Sequence, residues 1–247
     1  GHRYDGQTAA CQRPPVVQPS RLQPFPPTAK PSCLQKPSLN ISDDFTYFDP
    51  RADVDVSRRN LPHWQQEGRT YFVTFRLHDS LPQEKLEALR KNRAEWLDTN
   101  PEPWSAAQSL EYHELFSEKV QQWLDAGYGS CLLKDPALAK IVADALRHSD
   151  GERYDLVAWV VMPNHVHALL TPRSGFALGK ILHSWKSFSA HEINKQAVRQ
   201  GDVWQHESYD HIVRDPDSLW HFAKYIVDNP RQAGLHVPHV ESRIKAT

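Results

Sequence analysis

Charge of one sign is what this chain most plainly lacks. Its 247 residues hold 29 Lys+Arg against 30 Asp+Glu, a formal net charge of −1. The basic composition that would announce a nucleic-acid partner is therefore absent. The balance is uneven along the chain. Residues 83–150 carry 8 Lys+Arg and 12 Asp+Glu, whereas residues 173–247 carry 10 and 8 together with 7 of the 14 histidines. A polyanion site is thus expected in the C-terminal third. Cysteine is scarce as well. Cys11, Cys33 and Cys131 are odd in number and lack metal-ligand spacing, which fits a reducing compartment better than a disulfide framework. Long apolar runs are missing too. None approaches the roughly 20 residues of a membrane span, no signal peptide is visible, and no membrane partner is expected.

What is there divides the chain unevenly. Residues 1–50 hold 9 of the 19 prolines. Proline excludes helix interiors and central strands, and the segment has little to bury, so residues 1–60 read as a disordered Pro-rich arm. "RTYFVTFRL" (69–77) is rich in aromatic and β-branched residues and reads as a strand. A helical insertion over about 83–150 follows, closing with Asp135 as a cap and Pro136 at the first helical position of "DPALAKIVADALRH". "YDLVAWVVM" (154–162) and "HVHALLT" (165–171) read as strands around a Pro163-Asn164 turn. Residues 175–199 read as a long helix and 202–214 as a fourth strand. A capped helix follows from "DPDSLW" and ends before Pro230. Few apolar strands with helices between them predict an α+β fold, a mainly antiparallel sheet with helices on one face. The main domain is expected over 61–236, with 237–247 as a C-terminal tail.

The stretch that carries chemistry is "MPNHVHALL" (162–170). Side chains at i and i+2 of a strand share a face, so His165 and His167 project together while Val166 points away. Two such imidazoles can clasp a divalent metal, or they can be an ordinary pair of satisfied histidines. The last helix offers further groups. At 100° per residue, Leu219, Trp220, Ala223, Ile226 and Val227 form one apolar stripe, with Tyr225 on roughly the opposite side and Asn229 one turn beyond it. Tyr225 reads either as a surface tyrosine or as a reactive group with a metal-competent amide beside it.

"AWVVMPNHVHALLTP", "ILHSWKSFSAHEIN", "VWQHESYDHIVRD" and "YIVDNPRQAGL" follow one another in order. Together with "YFVTFRLHDSLP" and "WLDAGYGSCLLKDP", they resemble the REP-associated tyrosine transposases, single-tyrosine HUH transposases of insertion-sequence type. The resemblance runs from about Thr70 to Leu235. It implies a ferredoxin-like fold and a metal-dependent transposase or endonuclease acting on single-stranded DNA that bears hairpins. It further implies Mg²⁺ or Mn²⁺ held by His165, His167 and Asn229, and Tyr225 as the nucleophile. Lys186 matches a basic position of the family and is expected to contact DNA. Arg214, closing the fourth strand, is a candidate phosphate contact, and Trp204 is a candidate platform for an unpaired base. The expected location is cytoplasmic and nucleoid-associated, and the expected form is a monomer or homodimer. Tyr209 is the rival nucleophile. Two other functions stay open: a non-catalytic hairpin-DNA-binding protein of the same fold, and an unrelated metal-dependent hydrolase that uses the two histidines.

Overall fold

The computed structural model describes residues 45–49, 51–52, 55–58, 62–101, 104–112, 115–116 and 119–244. Most of the expected Pro-rich arm, residues 1–44, lies outside the described residues. Along the chain the elements are β1 (Asp55–Arg58), β2 (Pro62–Gln65), β3 (Tyr71–Arg76), α1 (Gln83–Thr99), α2 (Ala106–Tyr112), α3 (Lys119–Asp125), α4 (Pro136–Arg147), β4 (Tyr154–Val161), β5 (His165–Pro172), α5 (Leu178–Gln196), β6 (Tyr209–Ile212), α6 (Pro216–Gln232) and β7 (Val240–Ser242). They fall into two compact units. Among the described residues, one contains those of 79–131 and the other those of 45–78 and 132–244.

The second unit is built on a five-stranded antiparallel sheet of order β6-β3-β5-β4-β7. From β3 onward this unit runs β3, α4, β4, β5, α5 and β6, a βαββαβ run whose strands lie as fourth, first, third, second. That is the split arrangement of a ferredoxin-like fold. The α+β class read from the sequence is therefore what the structure shows. Its one-sided covering by helices needs a correction. Helices α4 and α5 cover one face, where Leu138, Val142, Leu146, Ile181 and Trp185 meet Val73, Phe75, Val166 and Ala168. Helix α6 covers the other, where Leu219, Ala223 and Ile226 meet Phe72, Val160 and Leu169. β5, central in the sheet, is buried on both faces. Each aliphatic side chain so buried contributes ~1.5–3 kcal/mol before entropy is set against it. Asp135 and Asp215 cap α4 and α6 by accepting from Ala137 N–H at 2.8 Å and Ser218 N–H at 2.6 Å. Each cap is worth about 1 kcal/mol.

Several boundaries differ from the sequence reading, each for a physical reason. Helix α4 belongs to the sheet unit because its apolar face packs on the sheet, so the separate helical unit ends at Cys131 and not near 150. Among the described residues, core contacts reach back to Phe45, ahead of the expected domain start near residue 60. Phe45 and Tyr47 pack under α6, and Phe48 N–H donates to Val213 O at 2.9 Å. The fourth strand shortens to Tyr209–Ile212, and the tail adds an edge strand, Val240–Ser242, to β4. Helix α6 runs through Pro230 to Gln232.

The unit containing Asp79–Cys131 carries α1, α2 and α3, with Trp96 set against Trp104 at 5.1 Å and Tyr112 at 5.3 Å between ring centroids. Its two ends are pinned together. Ser130 N–H donates to Asp79 Oδ2 at 2.8 Å. Gly129 has φ +87°, and a Cβ there would collide with the Asp79 carbonyl. Only glycine fits that crossing. Among the described residues no helix is long and apolar enough to cross a membrane.

Candidate metal and nucleophile site

The site grows from the first residues of β5. Directly paired residues of an antiparallel sheet share a face. His167 lies opposite Thr74 of β3 and Val160 of β4, and His165 lies opposite Arg76. Val166, pointing the other way, enters the core beneath α4 and α5. The period-2 reading thus holds: both imidazoles sit on the α6 face of the sheet, and both are 0% exposed.

Each ring is fixed by its Nδ1. His165 Nδ1 is 2.7 Å from Asn164 Oδ1, and His167 Nδ1 is 2.8 Å from Thr74 Oγ1. The two Nε2 atoms then face each other at 2.9 Å. Asn164 Oδ1 can only accept, so His165 Nδ1 donates and its Nε2 keeps the lone pair. The Thr74 hydroxyl can donate or accept. It therefore serves His167 in either tautomer, the one that donates Nε2–H to His165 or the one that leaves both Nε2 atoms unprotonated. Burial pushes the His165 imidazole down to about 3 and that of His167 well below its usual value, the latter also through its neighbour His165. Both rings are neutral near pH 7, the state a metal ligand requires.

The spacing fits a cation. Two ligands about 2.1 Å from a six-coordinate ion and at right angles stand about 3.0 Å apart. Two neutral imidazole nitrogens with anchored Nδ1 atoms are the usual form of histidine ligation, the outer partner fixing tautomer and ring orientation. We expect Thr74→Val or Asn164→Ala to weaken Mn²⁺ binding about 10–100-fold, as read by calorimetric titration of Mn²⁺ alone. Neither substitution touches the Nε2 atoms, so wild-type affinity in both variants would show that these outer bonds do not hold the pair.

Helix α6 brings Tyr225 to this pair. Its ring meets that of His167 edge-on, with centroids 5.3 Å apart and planes at 64°. Phe72 stacks on His167 at 5.4 Å and on Phe222 at 4.6 Å, so one aromatic row carries the helix onto the sheet. The phase of the α6 stripe differs from the sequence reading. Leu219, Ala223, Ile226, Asn229 and Pro230 are buried, while Val227 is 45% exposed. The buried face is rotated toward Phe222 and Asn229, which sets Tyr225 half-buried at its flank. Asn229, one turn further, is 1% exposed.

The other sequence candidates fall elsewhere. Tyr209 lies opposite Thr74 and so shares the histidine face, two strands from His167. Lys186, on α5, donates to His206 O at 2.7 Å and lies near Ser208 Oγ at 3.4 Å, tying down the approach to β6. Trp204 is a core residue, not a stacking platform. It is buried, its Nε1–H donates to Ser189 Oγ at 2.9 Å, and its ring abuts Phe75. Arg214 is exposed just past β6. Sequence reasoning missed the roles of Thr74 and Asn164. The alternation of "YFVTFR" places Thr74 and Arg76 on one face, but only the register shows that this face carries the histidines.

An antiparallel ferredoxin-like sheet with a buried histidine pair and a tyrosine on a covering helix defines the class of site. Residues 133–229 match the model of the family described as "Transposase IS200 like". The span contains His165, His167, Tyr225 and, as its last residue, Asn229, and the match bears out the resemblance read from the sequence. No curated protein matches the chain. Among solved structures, it is similar to a REP-associated tyrosine transposase bound to a REP hairpin, at 16% identity over 74% of this chain and 82% of that one, with a TM-score of 0.39. It is also similar to a candidate transposase from Deinococcus radiodurans R1, at 16% identity over 67% of this chain and 98% of that one, with a TM-score of 0.30.

Proposed function

We propose that the protein is a metal-dependent transposase or endonuclease that cleaves and rejoins hairpin-bearing single-stranded DNA through a 5′-phosphotyrosine. The observation that carries this reading is the edge-on contact of Tyr225 with His167, 5.3 Å between centroids, beside a buried histidine pair fit for a cation. His165 and His167 would hold a divalent ion, Mg²⁺ or Mn²⁺, with the Asn229 amide oxygen as a third ligand. The chemistry such an ion supplies is polarisation of the scissile phosphate and neutralisation of its charge.

The protein groups do the rest. A free tyrosine has a pKa of about 10, so its phenol is a poor nucleophile near neutrality and must be positioned as well as deprotonated. Packing against His167 and Phe72 fixes the Tyr225 ring. Its Oη would form a bond to phosphorus as the bond from phosphorus to O3′ breaks. The phenol proton is released to solvent, and the departing O3′ takes one up. The products are a 5′-phosphotyrosine and a free 3′-OH, and the reverse attack by a 3′-OH rejoins a strand without a nucleotide cofactor. Arg214 would neutralise a phosphate of the bound strand.

A labelled single strand from the DNA flanking this protein's own gene, carrying a hairpin, tests the reading. Cleavage should require the unpaired form and Mg²⁺ or Mn²⁺, and binding should fall steeply as salt rises. Equal cleavage of the fully paired duplex, or hydrolytic turnover with no protein–DNA adduct, would contradict it.

A further inference from the structure

The sheet places a cation beside the histidine pair that no motif marks. Arg76 is the last residue of β3 and lies directly opposite His165. Phe72 and Thr74, two and one alternations before it, hold His167 by stacking and by hydrogen bonding. Arg76 is thus the third residue of one β3 face, and the first two already serve the site. Its exposure also differs from theirs. Phe72 is 4% exposed, Thr74 5% and His165 0%, whereas Arg76 is only partly buried. It is the most exposed of the four. The backbone around it is tied down on both sides. Arg76 O accepts from Gln205 N–H at 2.9 Å, and Leu77 N–H donates to Asn164 O at 2.9 Å, the same Asn164 whose side chain orients His165.

We propose that Arg76 binds the scissile phosphate, setting its guanidinium on a non-bridging oxygen while the histidine pair and Tyr225 address the same group. This rests on the function proposed above. The chemistry calls for such a group. His165 and His167 are neutral and would leave the ion's charge to one side of the phosphate, so a guanidinium would share the negative charge on the remaining oxygens. A phosphodiester brings a full negative charge, which must be held while Tyr225 Oη approaches. A guanidinium stays charged at every working pH and presents paired N–H donors matched to two phosphate oxygens. On a strand, its base is fixed more tightly than it would be on a loop.

Arg76→Gln and Arg76→Lys, made in the full chain, test the assignment under single turnover on the labelled hairpin oligonucleotide. Arg76→Gln should lower the maximal cleavage rate about 10²–10³-fold, the usual cost of removing one preorganised donor. The half-saturating Mn²⁺ concentration and the melting temperature should stay at wild-type values. Arg76→Lys, which keeps the charge, should recover at least about tenfold of that loss. The inference is overturned if Arg76→Gln cuts at the wild-type rate, if Arg76→Lys is no better than Arg76→Gln, or if Mn²⁺ binding and folding fall together with the rate, which marks a scaffold residue. A wild-type protein that cuts no strand at all would instead overturn the functional reading on which the inference stands.

Discussion

A Tyr225→Phe protein is expected to bind Mn²⁺ and hairpin DNA as the wild type does and to cut nothing. The substitution removes one hydroxyl and leaves the ring, so the contacts to His167 at 5.3 Å and Phe72 at 6.0 Å remain. Stability should change by no more than about 1 kcal/mol. Cleavage and the covalent adduct should both vanish, because no other group would accept the phosphoryl bond. Tyr209→Phe is the matched control. Tyr209 shares the sheet face of His167 through its pairing with Thr74, but it sits two strands away. That variant should keep the adduct. An adduct retained in Tyr225→Phe and lost in Tyr209→Phe would move the nucleophile from α6 to β6.

Loss of either histidine should be nearly as severe. His165→Ala or His167→Ala leaves one Nε2 where two face each other at 2.9 Å. Mn²⁺ binding should disappear, and cleavage should fall by about 10³-fold or more, since several kcal/mol of charge stabilisation go with the ion and each 1.4 kcal/mol is tenfold in rate. Both side chains are fully buried, and His167 stacks on Phe72, so each alanine also leaves a cavity and lowers the melting temperature. Chelation separates the two effects. Wild-type protein in excess EDTA keeps its packing and should still lose cleavage, and added Mn²⁺ should restore it. Cleavage that persists in chelator would remove the metal from the account.

Much of this site was legible in the sequence because its signals are local. Residues 165 and 167 are two apart on a strand, and period-2 geometry needs no knowledge of the neighbouring strands. The same local rules found β3, β4, β5, the caps at Asp135 and Asp215, and the helix bearing Tyr225. What stayed hidden depends on register or on helix phase. Thr74 and His167 are 93 positions apart in the chain, and no local pattern pairs them; Arg76 and His165 are hidden in the same way. The phase of α6 was misjudged because Trp220 and Val227 count as apolar in a sequence stripe, whereas the structure buries Asn229 and Pro230 in their place. The burial of Trp204 cannot be read from its neighbours in sequence. Its partners, Phe75 and Ser189, come from other elements. The edge strand β7 was missed for a related reason. "VES" has no strand signature of its own and is held by its pairing with Ala158, Trp159 and Val160.

The central claim is that Tyr225 becomes covalently joined to DNA beside the histidine pair, and mass spectrometry of the trapped complex tests it most directly. Wild-type protein is incubated with the hairpin oligonucleotide and Mn²⁺, digested with protease and nuclease, and searched for a nucleotide-bearing peptide. The account predicts one modified peptide, from α6, with a 5′-phosphate ester on Tyr225 that forms with Mn²⁺ and is absent in EDTA. A modification mapped to Tyr209, or cleaved DNA with no modified peptide at all, would contradict it.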